Sequence, residues 1–150
     1  MSHGTGTCIG WTPTYGLIVT AWHVVKDNKG QITVDFPVGR LDADVISTNR
    51  TWDLAALVVK RPPWRACPFI RLQVNPPRKG DLITIAGYGS GRYREATGPL
   101  IQYVSPEAVN TPEIIEMGAQ ARQGDSGGPM LSASGNLVGV LFGSAKATYG

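Results

Sequence analysis

Ser126 is the residue of this chain best placed to do chemistry. It lies in Gln123-Gly124-Asp125-Ser126-Gly127-Gly128-Pro129, where one hydroxyl stands among glycines that let backbone amides crowd around a reacting oxygen. A serine hydroxyl is a weak nucleophile at neutral pH and needs a neighbouring base. The carbonyl it attacks develops a negative oxygen, which needs donors already in place. Gly124 permits backbone angles that turn amides inward, and Gly127 and Gly128 leave the approach to Ser126 free of a Cβ. The plainer alternative is a glycine-rich turn in which Ser126 fills a polar position, so the partners decide.

Chain order narrows those partners. The motif also satisfies Gly-x-Ser-x-Gly, the elbow of α/β-hydrolases, in which the histidine follows the serine. Both histidines, His3 and His23, precede Ser126, which excludes that arrangement. A subtilisin-type order needs an acid before the histidine, and no aspartate or glutamate precedes His23. The order that remains is His, Asp, Ser.

His23 follows the β-branched, apolar run Leu17-Ile18-Val19-Thr20-Ala21-Trp22. The run predicts a strand that delivers the imidazole to a fixed point, as a general base requires. Asp53 stands at the mouth of a second apolar run, Leu54-Ala55-Ala56-Leu57-Val58-Val59. A carboxylate there is partly desolvated and can accept the imidazole N–H, fixing its tautomer. Asp42 and Asp44 compete for that role, but each faces outward in the alternating segment Leu41-Asp42-Ala43-Asp44-Val45-Ile46.

The elements around these residues read as all-β. Nineteen glycines, eleven prolines and short β-branched runs predict strands at 16–20, 31–36, 43–48, 54–60, 81–88, 100–105, 113–117, 129–132 and 137–142. The turn Ser134-Gly135-Asn136 joins the last two as a hairpin. Strands on both sides of residues 60–79 predict two small barrels in one unit, residues 1–75 carrying His23 and Asp53 and residues 76–150 carrying Ser126. The joining segment holds six basic residues and no acidic one. With a net charge of only +3 and no recognition motif, it reads as a proline-stiffened linker and not as a nucleic-acid surface, with Trp64 packed on a barrel.

The chain resembles the chymotrypsin-like serine peptidases, and more closely their compact bacterial relatives of the HtrA and trypsin-like type. The matching residues are Gly4-Thr5-Gly6-Thr7, Thr20-Ala21-Trp22-His23, Asp53-Leu54-Ala55-Ala56-Leu57 and Gly124-Asp125-Ser126-Gly127-Gly128-Pro129, with Trp22 in place of a usual small residue or asparagine. The resemblance implies two Greek-key barrels of the chymotrypsin type. It also implies a His23, Asp53, Ser126 triad, an oxyanion hole from the Gly124 and Ser126 amides, and a primary pocket lined by Gln120, Ala121, Phe142, Gly143 and Ser144. None of these is an acid, so the pocket suits small or medium uncharged side chains. In digestive relatives the acid before the serine pairs with a new amino terminus. Nothing here resembles an activation site, so Asp125 is expected to be neutralised locally, with Arg122 or a buried polar group as the candidate.

The family's glycine-threonine element normally follows a first pair of strands, whereas three residues precede Gly4 here, and the chain stops soon after the last candidate strand. The first barrel is therefore expected to lack its opening strands, leaving a catalytic domain that is incomplete or is completed by another chain. Two functions follow: a serine endopeptidase acting on peptides or proteins without a cofactor, or a catalytically impaired peptidase-fold module that grips a peptide or partner protein. Val24 stands where animal trypsins have a cysteine, and the two cysteines, Cys8 and Cys67, define neither a compartment nor, with His3, a metal spacing. No signal peptide or membrane-spanning run is present, so a periplasmic or extracellular location would require a leader beyond these residues. Oligomeric state is left open.

Overall fold

The computed structural model describes residues 3–28, 30–37, 39–62, 68–105, 113–143 and 146–148. Two antiparallel sheets, built from consecutive halves of the chain, each enclose an apolar core.

In the first sheet, β1 (Thr7–Trp11) pairs with β2 (Tyr15–Ala21), and β2 pairs with β5 (Leu54–Lys60). β4 (Gly39–Asn49) lies beyond β5, and β3 (Ile32–Phe36) beyond β4. The apolar runs read from the sequence as strands are β2 and β5. Their alternate residues Ile18, Ala55, Leu57 and Val59 point into the core, which Ala43 and Val25 complete. The order β1-β2-β5-β4-β3 leaves β1 and β3 as edges, and Trp11 and Phe36 lean towards one another across them, ring centroids 6.3 Å apart.

The second sheet closes fully, in the order β10-β11-β8-β7-β6-β9. Its strands are β6 (Leu82–Gly87), β7 (Arg94–Val104), β8 (Ile114–Met117), β9 (Pro129–Leu131), β10 (Leu137–Leu141) and β11 (Lys146–Thr148). Ile83, Ile85, Leu100, Ile115, Met130 and Val138 fill it. The first sheet has the strand order of this barrel without β6.

Several expectations are corrected. β1 and β11 were not expected, and β7 starts at Arg94 and not at residue 100. The glycine-threonine element leads into the β1–β2 hairpin, and among the described residues no strand of the first sheet corresponds to β6, the strand that opens the second barrel. His23 is not on a strand: β2 ends at Ala21, and His23 is the second residue of a one-turn helix, α1 (Trp22–Val25). The joining segment packs on both sheets. Ile70 donates its amide to Cys8, and residues 71–73 exchange backbone bonds with Leu137. Trp64, Cys67 and Ser144 lie outside the described residues.

Candidate active site

α1 is too short to be stable alone and is held by its contacts. Val25 is buried in the first core, while His23, on the other side of the turn, keeps 38% of its side chain exposed. The Trp22 amide donates to the Asp53 carbonyl at 3.0 Å, and the His23 amide donates to Asp53 Oδ1 at 2.8 Å. Asp53 Oδ2 lies 2.6 Å from His23 Nδ1. One carboxylate thus fixes both backbone and ring of His23. Asp53 has φ +53°, a left-handed conformation that aspartate tolerates better than most residues, and only 18% of its side chain is exposed. Asp42 and Asp44 lie exposed on β4.

The loop carrying Ser126 is clamped from both sheets. The Thr5 amide donates to the Ser126 carbonyl at 2.8 Å, and Thr5 Oγ1 donates to the Gly124 carbonyl at 2.9 Å. Thr20 Oγ1 donates to the Thr5 carbonyl at 2.8 Å, so the strand leading to His23 also orients the nucleophile loop. From the second barrel, Leu141 accepts the Gly127 amide at 2.6 Å and donates to the Gly128 carbonyl at 2.9 Å. This last pair sets the end of β10, which Phe142 and Gly143 follow, against Gly127 and Gly128.

The Asp125 amide donates to the Arg122 carbonyl at 3.1 Å, closing a β-turn whose third residue, Gly124, has φ +93°. That is type II geometry, and it sets which way the Gln123–Gly124 peptide points. Among the described residues, neither the Gly124 nor the Ser126 amide is donated to a protein acceptor. No hydrogen bond joins His23 to Ser126 among them either.

Asp125 is 3% exposed and fully partnered. It accepts the Gly89 amide on Oδ1 and the Arg122 amide on Oδ2, each at 2.8 Å, and Arg122 Nη2 reaches Oδ1 at 3.4 Å. Arg94 Nη2 stands 3.9 Å from Oδ2. Burial pushes the Asp125 carboxyl up, but the two amides and the Arg122 guanidinium together outweigh it and hold its pKa below the ordinary carboxylate value. The local partner expected for Asp125 is therefore Arg122. Gly89 was not expected.

Gln120 and Ala121 precede this turn. Gln120 is exposed and its carbonyl accepts Arg94 Nη2 at 2.8 Å, while Ala121 packs against the second core. Sequence reasoning missed the roles of Thr5 and Thr20. The quoted motifs contain both residues, but nothing local marks Thr5 as a partner for a loop so far along the chain. Among the described residues no cluster of three or more His, Cys, Asp or Glu could hold a metal ion, and no helix is long and apolar enough to cross a membrane.

An imidazole bonded to a carboxylate, a serine loop with undonated amides and two antiparallel sheets define the chymotrypsin-like fold class. The trypsin-like peptidase domain family matches residues 4–140, and the chain belongs to that family. It is 34% identical over 140 residues to the serine protease Rv3671c of Mycobacterium tuberculosis, covering 85% of this chain and 34% of that protein. It is 24% identical over 141 residues to the periplasmic pH-dependent serine endoprotease DegQ of Escherichia coli, covering 91% of this chain and 30% of that one. A solved structure of the Rv3671c protease in an inactive form superposes with TM-score 0.77 at 26% identity, over 97% of this chain and 77% of that one. The fold is shared with an HtrA-type protease, AlgW, solved with a decapeptide, at TM-score 0.75 and 20% identity, over 89% of this chain and 44% of that one. The chain spans about a third of the length of the curated relatives it matches.

Proposed function

We propose that this domain is a serine endopeptidase working through an acyl-enzyme. Ser126 Oγ attacks the scissile carbonyl carbon while His23 Nε2 takes its proton. Asp53 holds the other ring nitrogen protonated and stabilises the imidazolium. The Gly124 and Ser126 amides receive the oxyanion, and His23 returns the proton to the leaving amine. Water then attacks the acyl-enzyme by the same route in reverse. The observation that carries this reading is the double engagement of His23 by Asp53, at 2.8 Å to the backbone and 2.6 Å to the ring.

Residues 1–75 and 76–150 would act as one catalytic unit, since the Thr5 bonds tie them at the nucleophile. Gln120, Ala121, Phe142 and Gly143 would offer an uncharged wall to the residue before the cut. Relatives named as proteases support a peptide or protein substrate, and those named periplasmic support export.

A fluorophosphonate probe tests the proposal. The wild-type chain should label rapidly and Ser126→Ala not at all, with His23→Ala slowed severely. Equal labelling of wild type and Ser126→Ala would end the enzymatic reading. A module that only binds peptides is favoured by one observation, the first sheet open between β1 and β3 where the second is closed. Under that reading the wild type binds peptides and fails to label.

A further inference from the structure

Beside the His23–Asp53 pair lies a feature that the proposed chemistry does not use. Trp22, the residue before His23, carries two cations on its indole. Lys26 Nζ is 5.3 Å and the Arg50 guanidinium carbon 5.2 Å from the ring centroid. Both are exposed, and among the described residues neither forms an ion pair.

The backbone ties both cations to the pair. The Lys26 amide donates to the Trp22 carbonyl at 2.9 Å, and the Asp53 amide donates to the Arg50 carbonyl at 3.3 Å. The Trp22 amide in turn donates to the Asp53 carbonyl. Each cation is three residues from one member of the pair, Lys26 after His23 and Arg50 before Asp53. The indole presents the charges by cation–π attraction, which is worth only about 0.5–1 kcal/mol at exposed sites and leaves their outward hydrogen-bonding faces free. Two like charges drawn to one ring repel each other, and an arriving carboxylate relieves that repulsion. Screening limits the reach of exposed charges to roughly 8 Å at physiological ionic strength, or about two extended residues.

We propose that Lys26 and Arg50, presented on Trp22, form an anionic-side-chain subsite that selects peptides with an aspartate or glutamate within about two residues of the scissile bond. This rests on the peptidase reading, since it takes His23 to mark where the scissile bond lies. Trp22 stands where the resemblance implies a small residue or asparagine, and here a large aromatic is what gathers the charges.

The test uses two peptide sets that are identical except that one carries glutamate and the other glutamine, scanned through the two positions on each side of the cut. At one position or more, the wild type should cleave the glutamate peptide with kcat/KM about fivefold higher, as expected for one exposed but multiply paired carboxylate. The advantage should shrink as salt is added. Lys26→Gln with Arg50→Gln should bring the two peptides to equal rates. Arg61→Gln, which removes an exposed cation from the Trp11 ring on the edge strand β1, should leave the ratio unchanged. Equal wild-type rates at every position, or a preference that survives in the double variant, would overturn the subsite. Peptide affinities are measured in parallel on Ser126→Ala. If the wild type cleaves neither peptide, the peptidase reading falls while the affinity ratio of glutamate to glutamine peptide still decides the subsite.

Discussion

Asp53 does two things with one carboxylate, and the two can be separated by a single atom. In Asp53→Asn the side-chain oxygen can still accept the His23 amide, and asparagine tolerates the left-handed backbone at φ +53°. The remaining NH2, however, would donate to His23 Nδ1 and force the ring proton onto Nε2, where a base must be bare. The expected result is a folded protein with an unchanged circular dichroism spectrum and kcat lower by about 10⁴-fold, the size of this tautomer effect in such triads. A loss below tenfold would mean that Asp53 is a structural cap. Arg122 poses a second question at this scale. Its guanidinium is a permanent charge, 3.4 Å from Asp125, on a side chain 24% exposed. Two amides continue to hold Asp125 when it is removed, so Arg122→Met should cost roughly 1–2 kcal/mol of transition-state stabilisation, about tenfold in kcat/KM. If Asp125→Asn abolishes peptide turnover and Arg122→Met does not change it, the guanidinium plays no part in setting the loop.

At the scale of elements, the nucleophile loop is held by neighbours that cannot give way. Gly127 has φ +91°, and a Cβ there would stand 2.0 Å from the Thr5 carbonyl oxygen and 2.2 Å from Thr20 Oγ1. Gly127→Ala should therefore destabilise the protein by at least about 2 kcal/mol in urea unfolding and suppress fluorophosphonate labelling even where the fold survives. The same loop makes stability depend on pH. The folded-state pKa of Asp125 is held below its unfolded value, so its contribution is present above the unfolded pKa and is lost as pH falls through the folded one. The stability gap between wild type and Asp125→Asn should be level from neutral pH to about pH 5 and close below about pH 4, read as urea midpoints. Much of this loop was legible in the sequence, because nucleophile chemistry tolerates few residue types and each announces itself. The supporting elements were less so. β1 contains Gly10 and runs into Pro13, β7 opens with the polar Arg94, Glu95 and Thr97, and β11 is three residues long, so none shows an apolar alternation. α1 is one turn fixed by Val25 and the Asp53 carbonyl, a tertiary cause that periodicity cannot report.

At the scale of the whole molecule, polar bonds at the joint between the sheets decide whether His23 and Ser126 share a site, and they converge on Thr5. Thr5 is 6% exposed, its hydroxyl donates to the Gly124 carbonyl at 2.9 Å and accepts the Tyr88 amide at 3.1 Å, and its carbonyl takes the Thr20 hydroxyl. Among the described residues, the hydrogen bonds from the first half of the chain to the nucleophile loop and to Tyr88, just past β6, run through Thr5. Thr5→Val keeps the shape and removes the hydroxyl, leaving the half-buried Gly124 carbonyl and Tyr88 amide each short of a partner. The expected cost is roughly 2 kcal/mol, a fall in Tm of about 4–8 °C for a domain of this size. Because the freed Gly124 carbonyl belongs to the turn that aims the Gly124 amide, labelling of Ser126 should slow by more than the loss of folded protein accounts for. Thr5→Ser, which keeps the hydroxyl, should recover most of both losses. If Thr5→Val instead leaves both Tm and labelling at wild-type values, other contacts hold the sheets in register. The site would then owe its geometry to each half separately and not to the joint.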